Sequence, residues 1–356
     1  MNKLILPPRQ DLPEFHLRRA TMNGKSVYEI EATTVINFKS EFGEKLLSDG
    51  YTFSLGSACA FNCAFCYVAS VWRQHSQICR LLKRLKPYGI GFEDVVIRRR
   101  NALDILREDL TTHKPGFVDL SVRSVIFTSP FVDPAANMEL VRETVSACRI
   151  IFELTNWDIR ILSKSSLLKN LAEEIPEQFR DRVILGFSTG TLDDKLASSF
   201  EQGTALVSHR LKALHWLQDN GFRTFGMICP SLPQDDYSEF AGRMAEAIRV
   251  DRCEHVWAEV INFRGNSFPA TLAALKKGGF ESAAARLADV CGKGAKARWE
   301  QYARETFQCL MNHIPANKLR FLQYVKAETR DWWSAHADRG AILLGNHRLA
   351  LQEPLT

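Results

Sequence analysis

The chain has 356 residues, 46% hydrophobic and 24% charged, an ordinary globular composition that can bury a large core as one barrel with additions or as two domains. No apolar run approaches membrane-spanning length. The start, Met1-Asn2-Lys3-Leu4-Ile5-Leu6-Pro7-Pro8, has neither a signal-peptide apolar region nor Arg-rich transit character, so a cytoplasmic protein with no membrane partner is expected.

In chain order, residues 25–30 and 33–38 alternate or are β-branched and predict strands, and 40–48 predicts a short helix. From residue 51 the pattern becomes a strand–helix alternation. The runs 51–55, 122–128, 158–163, 183–188, 223–229 and 254–261 are short and mostly apolar, as strands buried on both faces of a parallel sheet are. Helical periodicity fills the gaps at 101–112, 139–154, 206–219 and 236–250. Asp193 and Ser208 stand at N-cap positions, and Asn220-Gly221 closes the helix over 206–219. These elements predict an α/β fold: a β-rich N-terminal extension over 1–50, then a partial (β/α)6 barrel of the TIM type over 51–265. Beyond 266 the alternation stops. Helices over 269–277, 281–290 and 296–313, a strand-like piece at 318–322 and a polar tail predict a mostly helical C-terminal region, 266–356, over the open side or mouth of the barrel.

Nine cysteines are many for a cytosolic enzyme of this size, and three fall in Cys59-Ala60-Phe61-Asn62-Cys63-Ala64-Phe65-Cys66-Tyr67. A cubane iron–sulfur cluster takes one thiolate per iron, so three thiolates on one loop hold three irons and leave the fourth to a ligand that is not protein. An open metal position is where chemistry occurs. The competing reading is a structural zinc site completed by His75 or Cys79. Zinc sites usually pair ligands as two well-separated CxxC units, and only one CxxC is present. A non-catalytic metal-binding nucleic-acid module is the reading of another class, and it predicts tight zinc. The remaining cysteines, Cys79, Cys148, Cys229, Cys253, Cys291 and Cys309, are isolated and read as small buried hydrophobes. In a barrel, chemistry gathers at the C-terminal ends of the strands, and the cysteine loop directly follows the first strand.

The net charge of +5 is uneven. Between Arg73 and Arg107 nine basic residues (Arg73, Arg80, Lys83, Arg84, Lys86, Arg98, Arg99, Arg100 and Arg107) face only Glu93, Asp94 and Asp104. Two readings stand side by side: a patch that tracks a phosphate backbone, and a solvated helix face.

The C-x3-C-x2-C spacing with an aromatic before the last cysteine resembles the signature of the radical S-adenosylmethionine enzymes. Four further segments resemble the spore photoproduct lyase-like, or DNA repair photolyase-like, branch. They are Cys63-Ala64-Phe65-Cys66-Tyr67; Phe127-Thr128-Ser129-Pro130-Phe131-Val132-Asp133-Pro134 with Glu139; Ile161-Leu162-Ser163-Lys164-Ser165; and Gly186-Phe187-Ser188-Thr189-Gly190-Thr191, continuing through Gly203-Thr204 and Arg210-Leu211 to Ile228-Cys229-Pro230. The resemblance implies a 4Fe–4S cluster on Cys59, Cys63 and Cys66, with S-adenosyl-L-methionine on the open iron. It also implies Ser129, Lys164 and Ser188 as contacts of that cosubstrate, an external flavodoxin- or ferredoxin-like electron donor, and DNA or RNA as substrate. Reductive cleavage of the sulfonium would then give a 5′-deoxyadenosyl radical. A lysine at a strand end suits the cosubstrate carboxylate and hydroxyls suit its amino acid or ribose. The alternatives are a snorkelling surface lysine for Lys164 and turn or capping roles for the two serines. Tyr67 is a candidate radical relay, or packs against the barrel top. Glu259 and Asn262-Phe263-Arg264-Gly265 end the sixth strand at the same rim, where they can read a substrate or ribose. Two departures stand out. Phe127 occupies the position of the branch's hydrogen-donating cysteine, and Phe65 replaces a tyrosine, which puts lesion reversal in doubt. Cys229, at the end of the fifth strand, is a substitute donor or a buried thiol. A peptide or small metabolite is the alternative substrate.

Overall fold

A computed structural model describes residues 16–22, 24–71, 75–112, 118–128, 130–263 and 265–345. Three strands open it: β1 (His16–Met22), β2 (Lys25–Ile30) and β3 (Ile36–Asn37). Next come β4 (Tyr51–Phe53), β5 (Gly56–Ala58) and β6 (Val95–Arg99). Strands then alternate with helices: β7 (Val125–Thr128), β8 (Asp158–Ser163), β9 (Val183–Ser188), β10 (Arg223–Ser231) and β11 (Val256–Val260). The last two are β12 (Leu319–Tyr324) and β13 (Ala341–Leu344).

The large sheet runs β13-β12-β11-β10-β9-β8-β7-β4-β3, and every pair is parallel except β3 against β4. The six expected barrel strands are therefore all present, adjacent and in sequence order. Strands buried on both faces explain their composition: every residue of β9, Val-Ile-Leu-Gly-Phe-Ser, is buried. The connecting helices include Met138–Leu154, whose Asn137 side chain accepts the Leu140 amide at 2.9 Å, and Tyr237–Ala247, capped by Asp236. Asp193 caps Asp194–Phe200 as expected. Ser208 caps nothing: its helix begins one residue earlier, at Val207, and its hydroxyl donates to Asp194 at 2.6 Å.

Beyond residue 265 the three expected helices are Ser267–Lys277, Glu281–Cys291 and Lys296–His313. Strand β12 pairs in parallel with β11, and β13 with β12, so the sheet continues past the sixth barrel strand. The polar composition around Ala341–Leu344 concealed β13. A second, smaller sheet, β1-β2-β6-β5, stands beside the barrel, and its β6 comes from the charge run.

The expected helix over 40–48 is a series of turns, with Leu46 at φ +54°. Its carbonyls are used elsewhere. The Arg160 guanidinium donates to Leu47 O at 2.6 Å and Leu46 O at 3.2 Å, and Trp257 Nε1 donates to Lys45 O at 2.8 Å. Phe42 stacks on Phe127, ring centroids 5.0 Å apart, among Leu47, Ile184, Phe225, Met227 and Trp257. The segment fills the inside of the strand array from the side where β8 begins. Only Ile36–Asn37 of the expected strand over 33–38 pairs. No helix among the described residues is long and apolar enough to cross a membrane.

Candidate metal and cosubstrate site

The cysteine loop leaves β5 at Ala58 and is pinned to the segment after β9. Gly203 N donates to Phe61 O at 2.9 Å, Ala64 N donates to Phe200 O at 2.8 Å, and Cys63 forms a bridge with Glu201. Gly203 has to be glycine here, because a Cβ would lie 2.7 Å from the Phe61 backbone. Asn62, between Cys59 and Cys63, takes a left-handed conformation, φ +54°.

The three sulfurs share one environment. Amide N–H groups of Asp133 and Phe61 reach Cys59, and those of Val68 and Ala69, at the start of the helix Val68–Val71, reach Cys66. Burial pushes the Cys59 thiol up to about 12, with the Asp133 carboxylate adding to it. Burial also raises Cys63, with Glu201 the next cause, and Cys66. Two cations oppose this, Lys164 beside Cys63 and Cys66, and Lys25 within electrostatic reach of all three sulfurs. Burial thus disfavours the thiolate forms, and the two lysines favour them. Amide donors and lysines around buried sulfur fit a thiolate-bound anionic cluster. Among the described residues, no three His, Cys, Asp or Glu side chains close on a single-ion site.

Strand register brings the other candidates to the same rim. Ser163 pairs with Phe187, and Ser188 pairs with Met227, so Lys164, Ser188 and Cys229 follow from adjacent strand ends. Lys164, half-buried, pairs with a buried carboxylate that sequence reasoning missed. Its ammonium lies 2.6 Å from Glu201 Oε1, with longer contacts to Cys229 O (3.3 Å) and Ser188 O (3.4 Å), and 5.2 Å from the Phe65 ring centroid. The other Glu201 oxygen takes the buried guanidinium of Arg210, which also donates to Ser188 O at 2.8 Å. Glu201 is 2% exposed and carries both cations. A second missed carboxylate, Asp133, accepts Lys164 N (2.7 Å), Ser163 Oγ (2.8 Å) and Ala135 N (2.9 Å), fixing the ends of β7 and β8 to each other.

Ser188 Oγ donates to Cys229 O at 2.9 Å. The Cys229 sulfur lies 3.9 Å from Glu259 Oε2, and Asn262 donates to the other Glu259 oxygen at 3.0 Å. Burial holds this thiol high, and the Glu259 carboxylate adds to the effect. Tyr67 donates its hydroxyl to Pro130 O, tying the cysteine loop to the loop after β7. Gly190 meets Pro230 of β10 so closely that a Cβ would lie 1.7 Å from Pro230 O. Ser129, Arg264 and Arg73 lie outside the described residues.

The charge run divides. Arg98 is buried and pairs with Glu143 and with Glu139, and Arg99 donates to Ser54 O at 3.0 Å and Thr34 O at 3.5 Å. Burial lowers Arg99 to about 10. Arg100 pairs with Glu31 at the surface. The expected phosphate contact by this triplet is thus replaced, for Arg98 and Arg99, by internal bonds.

No family model matches the chain. It is 22% identical over 228 residues to "Uncharacterized protein ORF301" of Acidianus two-tailed virus, covering 62% of this chain and 70% of that one. Among solved structures, a spore photoproduct lyase mutant matches with a TM-score of 0.51 and 13% identity over 75% of this chain and 80% of the other. A second mutant, with bound AdoMet and dinucleoside spore photoproduct, matches at 0.50 with 12% identity over 75% and 79%. A third matches at 0.50 with 14% identity, covering 70% of this chain and 66% of that one. The resemblance expected from the sequence therefore holds for the fold: the chain has an α/β architecture like that of spore photoproduct lyase.

Proposed function

We propose that the chain is a radical S-adenosylmethionine enzyme that acts on nucleic acid, with Cys59, Cys63 and Cys66 as ligands of a 4Fe–4S cluster. The observation that carries this reading is the convergence of three half-buried cysteines, two of them reached by backbone amides, with Lys164 and Ser188 at the C-terminal rim of a parallel sheet. When bound, the cluster and S-adenosylmethionine supply reductive cleavage of the sulfonium carbon–sulfur bond and a carbon radical able to take a hydrogen atom.

The chain's own residues bind and orient. Lys164 spends one N–H on Glu201 and holds two carbonyls only at 3.3 and 3.4 Å, so an incoming carboxylate can replace those two contacts at small cost. Ser188 keeps lone pairs free to accept from an amino group or a ribose hydroxyl. Ser129 is assigned the same kind of contact. Phe65 and Phe200, edge to face at 5.8 Å, exclude water from the Lys164 side. Tyr67 and Cys229 are the residues assigned to hydrogen-atom or electron relay, and a flavodoxin- or ferredoxin-like protein is the electron source. Nucleic acid is supported by the resemblance and by the dinucleoside bound in the spore photoproduct lyase structure of similar fold. A peptide or small metabolite is the second reading, favoured by the inward turn of Arg98 and Arg99. Phe127, stacked on Phe42, has no hydrogen to donate, so little or no repair of spore photoproduct is expected.

Anaerobic reconstitution tests the whole reading. Iron and sulfide should bind with visible absorption that Cys59→Ala, Cys63→Ala or Cys66→Ala each abolishes. A reductant should then yield 5′-deoxyadenosine, in amounts that DNA or RNA increases. Stoichiometric zinc with no iron and no cleavage would sink it.

A further inference from the structure

The part of the charge run that does not turn inward lies on the helix Ser76–Leu85. Arg80, Lys83 and Arg84 are exposed there, Lys86 follows, and the helix contains no acidic residue. Its opposite face, Ile78, Leu81, Leu82 and Leu85, packs on Ala58, Val95 and Ile97 of the small sheet. Between this helix and residues 90–92 runs a cleft of about 410 Å³, with Leu82, Ile90 and Phe92 inside and Lys83 and Lys86 at its lip. Glu93 and Asp94 are exposed beyond the far lip, where Asp94 accepts Gly91 N at 2.9 Å and lies within electrostatic reach of Lys25.

An apolar centre with a charged rim is the anatomy of a protein–protein contact. A phosphate track calls instead for donors spread along a groove, with flat faces on which bases stack. Position points the same way. Ala58, buried under this helix, is bonded directly to Cys59, so the helix stands on the strand that delivers the first thiol of the loop. The substrate's approach is elsewhere, at the strand ends carrying Lys164, Ser188 and Cys229.

We propose that this basic face is the docking surface for a small acidic one-electron carrier protein, of the flavin or iron–sulfur class, that reduces a cluster on Cys59, Cys63 and Cys66. The proposal rests on the cluster reading above. The carrier loses one electron and the cluster gains it; no bond of this chain forms or breaks, and no proton is required at the contact. Electron-transfer encounters are small, transient and steered by opposite charge, which Lys83 and Lys86 at the lip of a short apolar cleft provide.

The test uses the full chain, reconstituted anaerobically, and the double charge reversal Lys83→Glu/Lys86→Glu, with flavodoxin as the probe. In titrations at low salt the reversal should weaken flavodoxin binding at least tenfold and remove most of the salt dependence seen with wild type. 5′-Deoxyadenosine formation with dithionite should stay within about twofold of wild type, whereas the rate with limiting reduced flavodoxin should fall at least tenfold. Equal flavodoxin affinity in variant and wild type overturns the proposal. So does a wild type that reacts with dithionite but takes no electrons from flavodoxin. A variant that loses affinity for an oligonucleotide and keeps it for flavodoxin assigns the face to nucleic acid and also overturns it. Absence of 5′-deoxyadenosine from wild type with dithionite is a different failure: it removes the cluster and cosubstrate reading on which the docking depends.

Discussion

Two cations, Arg160 buried and Lys164 half-buried, stand four residues apart on one strand and its exit, and they are held in opposite ways. Arg160, inside β8, donates to the carbonyls of Leu46 and Leu47 and lies over the rings of Trp257 (4.8 Å) and Phe225 (5.7 Å). Lys164, just past the end of β8, is neutralised by a carboxylate and touches two carbonyls at long range. Backbone carbonyls and ring faces are fixed by the fold, so nothing can be exchanged around Arg160, and burial lowers its pKa to about 10. Lys164 keeps donors that a ligand can claim. The same strand thus carries a closing element at one end and a receptive one at the other.

The largest effect that would break this contrast is expected at Glu201. Glu201→Gln leaves Lys164 and Arg210 facing a neutral amide, and stripping the anion from buried cations costs about 3–5 kcal/mol. Urea unfolding should show that loss; a change below about 1 kcal/mol would mean that water already solvates the pair. Arg160→Met should cost about 2–3 kcal/mol, because the Leu46 and Leu47 carbonyls lose their donor while the side-chain volume stays filled. If Arg160→Met unfolds at the wild-type urea concentration, the closing role is wrong.

Lys164→Ala sharpens the other half of the comparison. Arg210 still neutralises Glu201, so the loss of stability should be smaller than that of Glu201→Gln. S-Adenosylmethionine should bind roughly 10- to 150-fold more weakly, the equivalent of about 1.5–3 kcal/mol, with cluster absorption unchanged. Equal affinity in a titration would remove Lys164 from the cosubstrate site.

The smallest effect is a pH dependence near the Arg160 end. Burial, with Arg320 and Arg160 adding to it, lowers His255 to about 4. Its folded pKa lies below the unfolded value near 6.5, so the neutral ring's contribution is complete above 6.5 and is lost as pH falls from 6.5 toward 4. His255→Asn should flatten the melting temperature against pH in that window. A variant with the wild-type slope would place the acid sensitivity elsewhere.

The barrel was legible because strands buried on both faces are apolar along their length, and the three cysteines because their spacing is short and chemically specific. Glu201 and Asp133 were not legible as site residues. Each is a single carboxylate in a loop, and its partners come from other elements: Ser163, Lys164 and its amide from the end of β8, and Arg210 from the helix Val207–Asp219. Arg98 and Arg99 misled for the converse reason. A sequence counts charges, whereas Glu143 and the Ser54 carbonyl, 45 residues away from each in the chain, decide which of them reach water. The helix expected over 40–48 failed because its carbonyls bond to Arg160 and Trp257, partners no local pattern can reveal.

That last pairing has a consequence for how the protein is made. The Lys45 carbonyl waits for an indole 212 residues further along the chain. A ribosome adding about 5–20 residues per second needs roughly 10–40 s to deliver it. During that interval Phe42 and Leu47 gain Phe127 and Arg160 in turn, but the cluster around them stays incomplete. The nascent chain is therefore exposed to aggregation until β11 emerges, and slow synthesis or a stop codon before Trp257 should yield insoluble protein rather than a smaller folded one.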